Sequence, residues 1–383
     1  MEIKMQSEVN KEMAKSLPKP IKYLMETFGL ELAPSITRMS NRCNAMKNSC
    51  IKTKIIGSHL FLLFSIVFGI FADKHLTFYI SGNLDLVIYL IAIDILYCRR
   101  KKIQCHVKNL LQIPTELLVQ QQRHKFTNVC VMMAIAGVFA VIYSTLSVMV
   151  IIKKKIQATE STDDTINAAK FVLNIFQWLF YAIHTYIGIP MQACLFAFLC
   201  LLVNERLNAI NMDLQDMVQK KVIPVSQIRQ LRAIFCDLQK TSSEVDAVFR
   251  EINFIWLIKI IIRCCMSFYD ILTMAWYEGF VSDQIIVLLD VMFDIAHLAV
   301  LCITAGKIVD SKVNVLESVT CMGKDCVSVM GDLGCEIQFF VSVVGHSKMA
   351  MTAANIFPLN KNLAVTLLGV IGSYSVVIYQ ISN

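Results

Sequence analysis

Charged side chains are scarce in this chain. Asp, Glu, Lys and Arg make up 17% of its 383 residues and hydrophobic types 56%, where a soluble domain carries about 25% charge and about 45–50% apolar residues. The mean hydropathy is +0.58. Several windows of roughly eighteen or more mostly apolar residues turn that shortage into a class, a polytopic integral membrane protein. A Cys-x-x-Cys pair is also missing, although there are 14 cysteines. The nearest approach, Cys321-x4-Cys326, has no histidine at zinc-site spacing, so the cysteines are expected to act as small hydrophobes and no metal is expected. The polar start MEIKMQSEVNKEMAK lacks an apolar stretch followed by a small-residue cleavage site. No cleaved signal peptide is therefore expected, and the N-terminus is expected in the cytosol. No nucleophile–base pair emerges, so neither catalysis nor a cofactor is expected. No internal repeat is visible, which argues against the common twelve-span transporter plan.

Hydropathy marks seven candidate spans at about 55–72, 78–97, 129–152, 169–202, 252–276, 284–306 and 354–381. Lysine and arginine then choose the orientation. Residues 1–54, 98–128, 203–250 and 307–353 carry ten, seven, seven and four of them, whereas 73–77, 153–168 and 277–283 carry one, three and none. That asymmetry puts the first set in the cytosol and, after seven crossings, the C-terminus outside. The expected fold is all-α, with seven transmembrane helices, a cytosolic N-terminus, an extracellular C-terminus and cytosolic helical extensions. A G-protein-coupled receptor has the opposite sidedness, and the expected outer loops hold no cysteine for its usual extracellular disulfide.

Outside the lipid, residues 203–250 show helical amphipathic spacing. Leu207, Ile210, Leu214 and Val218 form one stripe, Pro224 and Ser226 mark a break, and Ile228, Leu231, Phe235 and Leu238 resume it. Spans four and five thus continue as cytosolic helices, packed on each other or serving subunit assembly. Residues 307–353 are expected to form a cytosolic helix leading to the last span. The run Arg99-Arg100-Lys101-Lys102 after span two reads as a topology signal facing anionic lipid, not as a nucleic-acid site.

Polar groups within spans are costly and point to function or pairing. Span six carries Asp290, Asp294 and His297 on one face, and span five carries Lys259 and Arg263. Arg263 and Asp294 fall at one depth and are expected to pair; a proton relay is the sharper alternative. Asp290, nearer the outside, remains for a ligand. Tyr143, Trp178, Tyr181, Tyr269 and Trp276 lie in the outer halves of spans three to five. They line an outward-opening small-molecule pocket or form an interfacial aromatic belt.

In the last span, Asn362, Thr366, Gly369, Ser373, Val377 and Gln380 share an arc of about 80°. Leu367, Leu368, Ile371 and Ile378 oppose them. Such a stripe lines a pore shared by several subunits, or is buried against other helices.

The residues Ser373 to Ile381, SYSVVIYQI, resemble the C-terminal signature of insect gustatory receptors: Thr-Tyr, five mostly hydrophobic residues, Gln-Phe. Tyr374 and Gln380 match; Ser373 replaces the threonine, Ser375 takes a hydrophobic position and Ile381 replaces the phenylalanine. The preceding AANIFPLNKNLAVTLLGVIGSY and the early IKYLMETFGLELAP are similar to that family too. The resemblance implies a ligand-gated cation channel of the plasma membrane, a homotetramer or a heteromer with other gustatory receptors. Its last helix lines the pore, with Gln380 at the outer constriction, Val377 one turn below, Thr366 deeper, and Ser373 and Tyr374 anchoring or lining it. Cytosolic helices make the main subunit contact and the pocket opens outward. Because no acidic residue follows Tyr374, a bitter-type tastant is expected before a sugar or inositol. A seven-span receptor that signals through a cytosolic partner without conducting, and a transporter relaying protons through Asp290, Asp294 and His297, are the alternatives.

Overall fold

The computed structural model describes residues 56–57, 59–60, 76–112, 142, 172, 179, 187–220, 223–274, 281–325 and 331–382. Six helices and one small hairpin carry most of these residues. In chain order they are α1 (Leu76–Gln112), α2 (Ile189–Lys220), α3 (Val225–Met274), α4 (Val281–Asp325), α5 (Asp332–His346), β1 (Thr352–Ala353), β2 (Phe357–Pro358) and α6 (Lys361–Ser382). Three described helices contain windows long and apolar enough to cross a membrane, within Ile189–Lys220, Val225–Tyr269 and Val287–Lys324. The segment Lys361–Val377 is apolar but shorter.

The helices are longer than a bilayer requires. α3 runs unbroken for 50 residues, about 75 Å at 1.5 Å per residue, against a hydrocarbon core of about 30 Å. The expected boundary between a cytosolic segment ending at 250 and a span starting at 252 is therefore no break in the chain. No proline or glycine interrupts residues 225–274, and one helix serves water and lipid alike. α4 continues past 306 to Asp325 in the same way, so the single cytosolic helix expected over 307–353 is instead the tail of α4, then α5, then the hairpin.

α2 is the most deeply enclosed over its first turns. Every residue from Gln192 to Cys200 along it is buried, and it packs chiefly on α4. Beyond the apolar section, Asn204, Asn208 and Asn211 present one face to Ser311 and Ser318 of α4. The Ser311 hydroxyl lies 2.7 Å from the Asn204 amide and 2.8 Å from that of Asn208, and Ser318 lies 2.7 Å from Asn211. A hydroxyl has one proton, so Ser311 donates to one amide and accepts from the N–H of the other. The expected amphipathic stripes are in place, with Leu207, Ile210, Leu214, Ile228, Leu231, Phe235 and Leu238 buried, though Met217 is buried and Val218 only half so. The Pro224 carbonyl accepts from the amides of Gln227 and Ile228, opening the first turn of α3 where the break was expected.

α5 packs against both α4 and α3 and buries Ile337, Phe340 and Val344. Phe340 meets Phe235 edge-on with ring centroids 6.0 Å apart, and Glu336 receives Arg232 at 2.7 Å. The hairpin follows. Ala354 and Asn355 turn it with left-handed backbone, φ 54° and 59°. Asn360 then caps α6 by accepting the Leu363 amide at 2.9 Å. These turns explain why the last helix starts at Lys361 and not at 354: left-handed residues, Pro358 and an N-cap each exclude continuous helix.

Close approach between α1 and the start of α2 depends on a missing side chain. A Cβ placed on Gly188 would lie 2.5 Å from the Tyr89 ring, and Tyr89 is itself buried. We expect Gly188→Ala to destabilise the protein by about 1–3 kcal/mol through overpacking, read as a lower unfolding midpoint of detergent-solubilised protein. Tyr89→Leu in the same chain should recover part of that loss.

Candidate functional site

Two features of the described residues carry functional chemistry, an ionic cluster between α3 and α4 and the outward face of α6. The cluster arises from spacing. Lys259 and Arg263 are four residues apart on α3, and Asp290 and Asp294 are four apart on α4, so each pair projects from one helix face, one turn apart. The helices follow each other through the membrane in opposite directions, which sets Lys259 level with Asp294 and Arg263 level with Asp290. Lys259 Nζ donates to Asp294 Oδ1 at 2.8 Å. Arg263 Nη2 lies 2.9 Å from Asp290 Oδ2 and its Nε 3.3 Å from Asp294 Oδ2. Lys259 and Asp294 side chains are each 3% exposed and that of Arg263 5%, whereas Asp290 keeps 19%.

The expected Arg263–Asp294 contact is present, but as the diagonal of a two-by-two ladder. Asp290 does not stand apart for a ligand as expected; it is engaged by Arg263, because the matched four-residue spacings bring both carboxylates within reach of that guanidinium. Lys259 was not assigned a partner from the sequence, yet its signal was there in the equal spacings on consecutive, oppositely directed spans. Two positive and two negative charges balance within the cluster, which makes it tolerable away from water. His297, one turn beyond Asp294, packs edge-on against Trp256 with centroids 5.2 Å apart. The Nε2 of His297 and the indole Nε1 of Trp256 are buried without a hydrogen bond.

Along α6, Ile371 and Ser375 are buried, and Leu363, Ala364 and Leu367 are half-buried. This narrow strip is how α6 meets α3 and α4. Asn362, Thr366, Gly369, Ser373, Val377 and Gln380 are all exposed, as is Tyr374. The first six lie on the side opposite Ile371, whereas Tyr374 flanks it. Ser375, at a position where an apolar residue was expected, is accommodated because its hydroxyl donates to the Ile371 carbonyl at 2.7 Å. The Ser373 hydroxyl does the same to Gly369 at 2.9 Å, which leaves its lone pairs turned outward. An exposed stripe of amide and hydroxyl groups on an otherwise apolar helix needs water or a protein partner, since hydrocarbon offers neither donor nor acceptor.

Of the aromatic residues expected around a pocket, Tyr269 lies half-buried on α3. Tyr143, Trp178, Tyr181 and Trp276 lie outside the described residues. Among the described residues, no group of three or more His, Cys, Asp or Glu side chains is placed to hold a metal ion.

Residues 49–382 match a family model described as 7tm chemosensory receptor. No curated protein sequence matches the chain. Among solved structures, the chain is similar to the insect olfactory receptor OR5 from Machilis hrabei in complex with eugenol, with 13% identity and a TM-score of 0.70 over 99% of this chain and 98% of that one. A second structure of that receptor gives 12% identity and a TM-score of 0.71 over the same shares. The likeness establishes an all-α multi-pass membrane fold.

Removing one member of the ionic ladder tests its balance. We expect Asp294→Asn, which strands Lys259 in a dry site, to cost about 3–5 kcal/mol. Asp290→Asn should cost clearly less, because Arg263 retains Asp294. Thermal unfolding in detergent and cell-surface abundance should rank the two variants in that order.

Proposed function

Because the chain belongs to the 7tm chemosensory receptor family, we propose that it is a gustatory receptor acting as a ligand-gated, non-selective cation channel. The single observation that carries this reading is the placement of the polar stripe on α6. Asn362, Thr366, Ser373 and Gln380 sit on the exposed side of that helix, the last two within the stretch that resembles the gustatory signature and the first two in the stretch before it, while the apolar strip around Ile371 faces the body of the subunit. Copies arranged around an axis would turn these stripes toward one another and toward water. A closed homotetramer, or a heteromer with related receptors, supplies such an axis.

In this reading Gln380 and Val377 form the outer constriction, and Tyr374, Ser373 and Thr366 position or line the conduit. A tastant enters from outside among spans three to six, with Tyr143, Trp178, Tyr181, Tyr269 and Trp276 as its walls. Asp290, the most exposed member of the ionic ladder, borders that cavity. The compound opens the pore to the extent that it binds the open arrangement more tightly than the closed one. The similar olfactory receptor is described with eugenol, a small aromatic, and an aromatic-walled cavity suits plant compounds of that kind. Bitter-type compounds are therefore the first ligand class. A sugar or inositol is the runner-up, and the absence of an acidic residue after Tyr374 counts against it. The proton-relay alternative finds both Asp290 and Asp294 committed to cations.

In this reading the protein works in the plasma membrane with its N-terminus in the cytosol. The chain, purified and reconstituted alone in planar bilayers, should pass cation current when quinine, eugenol, sucrose or myo-inositol is presented from the outer side. Gln380→Ala should alter the relative permeability to sodium and calcium or the open probability. Unchanged currents at equal surface abundance would remove Gln380 from the pore. Silence of the reconstituted wild type to the whole panel, alongside a response in intact cells, would favour signalling through a cytosolic partner.

A further inference from the structure

The segment of α3 from Asp246 to Asn253 is tied on two sides at once. On one side Arg99 of α1 donates from Nη1 to the carbonyls of Ala247 and Val248, each at 2.8 Å, and meets Glu251 at 2.7 Å. On the other side the same segment holds the hairpin. Asp246 Oδ1 accepts the Thr352 amide at 2.6 Å, and the Thr352 hydroxyl lies 3.0 Å from each carboxylate oxygen. The Arg250 carbonyl accepts the Ala354 amide at 2.9 Å. Asn253 Nδ2 donates to the Thr352 carbonyl at 3.1 Å.

Thr352 thus spends its amide, its carbonyl and its hydroxyl on α3. Met351 and Ala353 on either side of it are fully buried. Burial, with a smaller push from Glu251, holds the Asp246 carboxyl above the usual carboxylate range, and the bonds from Thr352 pull against that push. Charge-assisted bonds of this kind are roughly twice as strong as neutral ones.

What the hairpin carries matters as much as what holds it. Leu359, buried, donates its amide to Met351 at 2.9 Å and closes the hairpin. Asn360 follows at once and caps α6. Between the last strand residue, Pro358, and the first helical residue, Lys361, only Leu359 and Asn360 intervene, and both are bonded. The chain has no slack there, so the hairpin and the foot of α6 move as one piece.

We infer that Asp246 and Thr352 are positioning residues for the gate: their bond fixes the cytosolic foot of α6 to α3, so that the helix opens by tilting about that foot. The inference rests on the channel reading of α6. With the foot held, a displacement of the outer end of α6 is delivered to the constriction near Val377 and Gln380. With the foot released, the same push from the ligand cavity is dissipated as sliding of the whole helix. Neither residue lies on the polar stripe, so ion selectivity should not depend on them.

The test compares Asp246→Ala, Thr352→Val and their double variant with the wild-type chain, using whichever of quinine, eugenol, sucrose and myo-inositol gives the largest wild-type current. Surface abundance is measured in parallel. Thr352→Val keeps the backbone bonds and is the milder change; Thr352→Ser keeps the hydroxyl and serves as the conservative control. Each disruptive variant should raise the half-activating concentration about tenfold and lower the maximal open probability, as loss of a charge-assisted bond predicts. Sodium-to-calcium permeability should stay unchanged, Thr352→Ser should behave as wild type, and the double variant should be no worse than Asp246→Ala alone. A purely structural role would reduce surface abundance and leave activation of the surviving channels untouched, which overturns the inference. Activation by both single variants within about twofold of wild type overturns it as well. No current from the wild type with any of the four compounds overturns the channel reading itself, and the gating role with it.

Discussion

Asp294 holds two cations in a place where water cannot share the charge. Its carboxylate accepts Lys259 at 2.8 Å and lies 3.3 Å from Arg263, with every partner almost fully enclosed. An ion in hydrocarbon demands a counter-ion at contact distance, and this demand fixes how α3 and α4 lie against each other. Sliding one helix past the other by a turn would pair one rung and strand the rest. Below the ladder, the amides of Asn204, Asn208 and Asn211 grip Ser311 and Ser318 and set α2 against α4 in the same way. Apolar burial is non-directional, so these few polar contacts choose the register among many apolar alternatives.

With three long helices locked, the remaining elements have a rigid edge on which to dock. α5 lies on α3 through Phe340 and Glu336, and the hairpin is bonded to α3 between Asp246 and Asn253. α6 then rises from the hairpin and meets the body along a narrow strip of Leu363, Ala364, Leu367, Ile371 and Ser375. Its foot is held by polar bonds and its length by a thin apolar contact. A helix so placed presents most of its circumference to whatever surrounds the subunit, and its polar residues gather on the side farthest from its own bundle. In lipid, apolar contact between helices carries little hydrophobic driving force, so the polar stripe decides which surroundings suit it.

Part of this arrangement is legible in the residues. The stripe of Asn362, Thr366, Ser373 and Gln380 follows from helical spacing alone, and the structure leaves all four exposed. The amphipathic runs around Leu207 and Phe235 can likewise be read directly, because a helix face is a local property. The ionic ladder was half-legible. Equal four-residue spacings on two consecutive spans announce a match, yet depth counting alone selects the diagonal Arg263–Asp294 pair and overlooks Lys259. The start of α6 was misplaced, since AANIFP is apolar enough to extend the hydropathy of the last span. Its backbone is turned by Ala354 and Asn355 in left-handed conformation, and hydropathy is blind to that.

The sequence by itself determined class: too little charge for a soluble surface and spans long enough to cross a bilayer, with a lysine and arginine asymmetry that sets the expected sides. These are sums over residues and need no neighbours. Only the tertiary structure decided that Asp290 is paired, that Asn204 and Asn208 share one serine, and that Thr352 gives its amide, carbonyl and hydroxyl to α3. Each of these joins residues from about 27 to more than 100 positions apart, and the energy of a hydrogen bond depends on an ångström and an angle that no spacing along one chain segment specifies.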